Sequence, residues 1–162
     1  MARALIVGCG HRGRALGTRL LEAGWVVRGT TRSPAGLAAI QEVGIEPFEA
    51  DPDRIGTLLD PIEGVTAIVW LLGSAAGDRE AVAALHGPRL ERLLSEIVDT
   101  PVRGFVYEAT GSVDEAVLSG GAVIVRAAAA RWRIPVELIE AEPGEPGPWL
   151  EDAAGAVARI VA

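Results

Sequence analysis

Short runs of uninterrupted apolar residues alternate along this chain with longer stretches in which apolar residues recur every three or four positions. The first run, Ala4-Leu5-Ile6-Val7, has strand length. It is followed by a helical stretch from about Arg12 to Ala23, with Leu16, Leu20 and Leu21 on one face and Gly24 as its stop. Trp25 to Thr31 predicts a second strand. Ser33-Pro34 opens a helix running to about Val43, the serine as cap and the proline in the first turn. Ile45 to Glu49 predicts a short strand, broken by Asp51-Pro52-Asp53, and Thr66 to Leu72 reads as a strand buried on both faces. Asp78 can cap a helix from Arg79 to Val98, with a break at Gly87-Pro88. Gly104 to Ala109 is a fifth strand. Residues from Asp114 to Trp132 predict a helix, with Gly120-Gly121 as a candidate split, and Pro135 to Ile139 a sixth strand. A Pro/Gly-rich loop from Pro143 to Pro148 precedes a last helix from Trp149 to Val161. Strands alternating with helices predict an α/β fold with a doubly wound parallel sheet. Right-handed crossovers give the order 3-2-1-4-5-6, in a single three-layer domain spanning 1–162.

Composition narrows the chemistry. With 162 residues, 49% of them apolar, the chain can bury one sizeable core. No stretch reaches the ~18 apolar residues that span a bilayer. The opening apolar run is shorter than the core of a signal peptide, so the cytoplasm is the expected compartment. Net charge is −7 and the basic residues are scattered, which argues against nucleic acid or an anionic membrane as partner. One cysteine and two histidines give no disulfide and no expected metal centre. All fifteen basic residues are arginine, so Schiff-base, P-loop-lysine and tyrosine–lysine chemistry is excluded.

Gly8-Cys9-Gly10-His11-Arg12-Gly13 fits G-x-G-x-x-G, leaving a predicted strand and opening a predicted helix. In such a loop Gly8 would make the turn, Gly10 would admit a diphosphate against the backbone, and Gly13 would let helix and sheet approach. The helix start would offer N–H groups and a positive dipole end to the phosphates. A site for NAD(H) places an acid at the end of the second strand, to accept from the ribose hydroxyls. Here that position reads Thr31-Arg32-Ser33. Thr31 and Ser33 can donate hydroxyls and Arg32 can fork onto an additional phosphate. Arg12 could close on it from the other side. The expected cofactor is therefore NADP(H) in preference to NAD(H).

With these residues in place the chain resembles the short-chain dehydrogenase/reductase superfamily, especially its atypical and extended members, including NmrA-like and epimerase-like NAD(P)-binding Rossmann proteins. The likeness rests on the glycine loop, on Thr31-Arg32-Ser33, on Asp51, on Leu72-Gly73-Ser74-Ala75 and on Ala109-Thr110-Gly111-Ser112-Val113. It implies that Asp51 contacts the adenine, that Leu72, Gly73, Ser74 and Ala75 run along the nicotinamide-side ribose, and that Thr110 or Ser112 polarises a substrate carbonyl. The superfamily's Tyr-x-x-x-Lys pair is missing: Tyr107 is the sole tyrosine and Gly111 lies four residues on. Only Pro143 to Pro148 stands where members often insert a substrate-binding subdomain. An NADP(H)-dependent reductase acting on a small molecule without that pair is one expectation. A dinucleotide-responsive regulatory module is the other.

Several residues have plainer readings. Asp51 before Pro52 can start a turn, and Ser112 can cap the following helix. Asp114-Glu115 suit a first helical turn. His11 suits an exposed helix start, His86 a structural position, and Trp70 and Trp132 the core. Cys9 sits where a helix start can lower a thiol pKa, although packing is its simpler role. Trp149, Leu150, Val157, Ile160 and Val161 form an apolar face that suits either the sheet or a second subunit in a homodimer.

Overall fold

The computed structural model describes residues 1–162. Six parallel strands form one sheet: β1 (Arg3–Val7), β2 (Val26–Thr31), β3 (Glu46–Glu49), β4 (Ala67–Trp70), β5 (Gly104–Glu108) and β6 (Val136–Ile139). Their order is β3-β2-β1-β4-β5-β6, as the alternating pattern predicts. The helices are α1 (His11–Glu22), α2 (Pro34–Glu42), α3 (Leu59–Ile62), α4 (Arg79–Leu85), α5 (Pro88–Glu96), α6 (Glu115–Trp132) and α7 (Pro146–Ile160). No helix is long and apolar enough to cross a membrane.

β1, β4 and β5 occupy the middle of the sheet, where both faces are covered. Leu5, Ile68 and Phe105 point into one core layer, and Ile6, Val69 and Val106 into the other. Alternation of side chains along each strand divides a nearly continuous apolar run between two layers. The paired register carries this across the sheet, with Leu5 opposite Ile68 and Ile68 opposite Phe105.

Three local expectations change, and one stated alternative is selected. The 114–132 region is one unbroken α6, and Gly120-Gly121 does not split it. A Cβ at Gly121 would collide with the Tyr107 hydroxyl, so the missing side chain lets α6 lie close on β5. Residues 55–62, without a predicted element, form a 3-10 turn (Ile55–Leu58) continuing into α3, with Ile55, Leu58 and Ile62 buried. The last helix starts at Pro146, because proline suits a first turn whose N–H groups lack intrahelical partners. Finally, the apolar face of α7 is spent inside the molecule. Trp149, Val157 and Ile160 join the core layer of β1, β4 and β5, with Leu150 and Val161 at its margin. The break at Gly87-Pro88 does divide α4 from α5.

Candidate functional site

β1 runs out at Val7 into Gly8, whose φ of +86° makes the turn. A Cβ there would sit 2.6 Å from the Leu71 carbonyl oxygen. Two backbone donors pin the loop to β2: Gly8 N–H reaches Thr30 Oγ1 at 3.3 Å, and Cys9 N–H reaches the Thr30 carbonyl at 2.9 Å. Gly13 faces inward, where a Cβ would stand 3.1 Å from Gly8 O and 3.3 Å from Ile6 Cγ2. Gly10 is different. Its backbone is extended (φ −84°, ψ −153°) and a Cβ would meet no protein atom within 4 Å. Neither backbone geometry nor internal packing requires glycine there. A missing side chain leaves that backbone open to the space in front of it.

Gly10 also supplies no side-chain cap to α1, and the first turn of α1 holds no acidic residue. Its N–H groups and positive dipole end are therefore unopposed. They open on a cleft of about 650 Å³ at the carboxyl ends of the strands, where the sheet order reverses between β1 and β4. That is the topological switch point at which doubly wound sheets bind ligands.

The sequence-predicted residues divide around this cleft. Gly8, Gly10, His11, Arg12, Gly13, Thr31, Arg32, Leu72 and Ser74 line it, together with Arg14, which the motif alone did not single out. On the β2 side Arg32 is exposed and takes part in none of the ion pairs. Thr31 Oγ1 accepts from Ser33 N–H at 3.3 Å, and Ser33 Oγ caps α2 by accepting from Gly36 N–H at 3.2 Å. Asp51 is occupied locally, its Oδ1 accepting from Asp53 N–H at 3.0 Å in a turn, and the cleft wall there is Ala50 and Pro52.

Past β4, Gly73 turns away from the cleft. Its N–H donates to Glu108 Oε1 at 2.9 Å, and a Cβ would collide with the Thr110 carbonyl. Ser74 Oγ accepts from Ser112 N–H at 3.1 Å. The Thr110 hydroxyl donates to the Ala141 carbonyl at 2.9 Å, so its proton is already engaged. Ser112 is exposed and does not cap α6. Asp114 does, accepting from Ala116 N–H at 3.0 Å, because it stands immediately before the first helical residue, Glu115, two residues nearer than Ser112. Glu115 occupies the first turn as expected.

Arg12 departs furthest from expectation. Its guanidinium reaches across to the β5 side, where Nη2 lies 3.0 Å from Glu108 Oε2 and 3.3 Å from Oε1. It stacks 5.3 Å from the Trp149 ring. It is thus directed away from Arg32, and cannot close on the same phosphate from this position. Glu108 is fully buried and also accepts from Trp149 Nε1 at 3.1 Å. Burial pushes its carboxyl above the usual range, against the opposing pull of Arg12, Gly73 and Trp149. All its contacts are donors, an arrangement that favours the carboxylate. The signal in the sequence was a lone acid closing an otherwise buried apolar strand, since buried charges are paired.

Other buried residues are structural. Cys9 is buried beneath Gly29, and desolvation pushes its thiol up to about 12, the reverse of an activated cysteine. Packing is its role. His86 is buried at the C-terminal cap of α4. Its Nε2 faces the Leu72 carbonyl at 2.9 Å and must carry the proton, which leaves Nδ1 to accept from the Tyr107 hydroxyl at 2.7 Å. Burial lowers its pKa and keeps the ring neutral. Tyr107 lies wholly in the core with its hydroxyl against α6, and it does not line the cleft. Trp70 is likewise core, whereas Trp132 is half-buried with Arg131 over its ring at 5.1 Å.

No protein-family model matches the chain, and no curated protein sequence matches it. Solved structures do share its fold. A short-chain dehydrogenase/reductase superfamily protein of Agrobacterium tumefaciens with bound NAD is 23% identical at a TM-score of 0.70, covering 84% of this chain and 48% of that one. Vestitone reductase of alfalfa, Medicago sativa, is 18% identical at 0.68, covering 85% and 56%. Triphenylmethane reductase of a Citrobacter species, complexed with NADP(H), is 16% identical at 0.63, covering 85% and 48%. The chain has the Rossmann fold of these reductases and spans about half the length of each.

Proposed function

We propose that this protein binds a nicotinamide dinucleotide in the cleft above Gly10, NADP(H) in preference to NAD(H), and serves as a reductase without a tyrosine–lysine pair. The observation that carries the reading is Gly10 itself, a glycine with no internal reason to be one, at the mouth of an uncapped helix. Gly10→Val tests it. The extended backbone accepts valine, although valine is a poorer N-cap than glycine, so stability should fall by no more than about 1 kcal/mol. Dinucleotide affinity should fall at least about tenfold, because the branched side chain would occupy the diphosphate's approach. Unchanged affinity by calorimetry would remove the site from this loop.

The preference for NADP(H) is supported by the end of β2, where Thr31, Arg32 and Ser33 stand without a carboxylate. Arg32 is free to fork onto a 2′-phosphate, a charge-assisted contact of about 1.5–3 kcal/mol. Arg32→Glu is therefore expected to weaken NADP(H) about ten- to a hundredfold while changing NAD(H) little. Equal weakening of both would point to a general electrostatic effect. On this reading Leu72 and Ser74 wall the nicotinamide-side ribose, while Asp51 shapes the adenine end through its turn.

The bound cofactor supplies hydride, and the chain's own part is to hold and orient it. Proton delivery is the weak side of the site. Tyr107 is in the core, Thr110 is engaged with Ala141 and Ser112 lies outside the cleft lining. This favours acceptors that draw their proton from water, such as flavins and quinones. NADPH oxidation across a panel of flavins, quinones and aldehydes checks it. The same three observations also favour a second reading, a regulatory module that senses the dinucleotide. No turnover on that panel, joined to a partner whose affinity changes with NADPH, would select the second.

A further inference from the structure

We propose that Arg12 grips the diphosphate of the dinucleotide on its nicotinamide side, with Glu108 as the positioning residue that aims it; this rests on the dinucleotide reading above. The sheet order sets the direction. The cleft runs from β2 and β3 on one side of the switch point to β4 and β5 on the other. Arg32, at the end of β2, marks the adenosine end. Arg12 leaves the first turn of α1, where a diphosphate would sit, and reaches toward β5.

An account of the guanidinium edges fixes what Arg12 can still do. Nη2 is taken by both oxygens of Glu108. Nε is enclosed with no protein partner. Nη1 makes no hydrogen bond and is not enclosed, and the residue lines the cleft. The Trp149 ring lies against one face of the guanidinium, and the Glu108 contacts stop it swinging. A donor held this way loses little freedom when it meets a phosphate oxygen. Glu108 is itself held by Gly73 and Trp149, so the aim of Arg12 is set by the β4 loop, β5 and α7 together.

NADP+ and 2′,5′-ADP separate the two ends of the site, since both carry the adenosine bisphosphate and only NADP+ carries the diphosphate. Arg12→Lys keeps a positive partner for Glu108 but loses the fork. We expect NADP+ affinity to fall about tenfold and 2′,5′-ADP affinity to change less than about threefold. Glu108→Gln should reproduce that split, with retained 2′,5′-ADP binding as its own control for folding. The chain has no native lysine, so Arg12→Lys also places a unique lysine amine at the site. Its acylation, read by mass spectrometry, should be blocked by NADP+ and not by 2′,5′-ADP. Equal loss of both ligands, or no loss of either, would overturn the assignment of Arg12, and a uniform loss in Glu108→Gln would overturn its positioning role. Failure of the wild-type protein to bind NADP+ would instead remove the dinucleotide reading on which both stand.

Discussion

Trp149→Ala is expected to lower the unfolding free energy by about 3–5 kcal/mol, the range for emptying a large buried aromatic site. Trp149 is 1% exposed and belongs to the core layer beneath α7. It does three separate things. Its ring fills the space between α7 and the central strands, its Nε1–H satisfies Glu108 Oε2, and its face carries the Arg12 guanidinium. Alanine removes all three. Trp149→Phe divides them, because it retains most of the packing and loses the N–H. It should cost only about 1.5–3 kcal/mol, the worth of a hydrogen bond to a charged group. Urea unfolding of both variants gives the comparison. Should alanine cost less than about 1 kcal/mol, α7 is not docked as described.

Arg12→Leu should destabilise by about 3 kcal/mol at pH 7, by an amount that depends on pH. Removing the arginine leaves Glu108, fully buried, without its counter-charge. The carboxyl then escapes by taking a proton. Its ordinary value is 4.5, and holding the proton above that costs about 1.4 kcal/mol per pH unit. The sign follows from proton binding. Burial already raises Glu108 in the wild type, and the variant raises it further, so the folded state holds a proton that the unfolded chain has released. Stability of the variant therefore falls as pH rises from about 4.5, and its deficit against wild type widens in the same direction. His86 is held neutral by burial in both folded proteins, so its contribution cancels in the difference. Urea unfolding at pH 5.5 and pH 8 provides the check. A deficit equal at both values would mean that Glu108 is not the group left exposed to the loss.

These two residues show why the candidate site was only half legible. The glycine loop could be read directly, because each glycine answers to a local requirement: a positive φ at Gly8, an open face at Gly10, a close helix contact at Gly13. Local requirements leave a local pattern. Ser112 and Asp114 were harder, since two residues of similar capping strength lie within three positions and the chain's path out of β5 selects between them. Arg12 was misdirected for a different reason. From sequence it belongs to the glycine loop, and nothing nearby in the chain says that Glu108, ninety-six residues away, will lie 3.0 Å from it.

Period and punctuation in the chain were enough to determine six strands, their parallel order, the two core layers and the glycine turn between β1 and α1. Each follows from short-range rules: alternation of side chains, the handedness of crossovers, the freedom of glycine. The tertiary structure alone decided which way Arg12 points, that Glu108 is buried against it, that α7 covers the sheet, and that the Thr110 and Tyr107 hydroxyls are engaged within the fold. Those outcomes depend on where desolvated charges and hydroxyls find partners. Their partners come from distant elements, and only the packed sheet brings them within hydrogen-bonding distance.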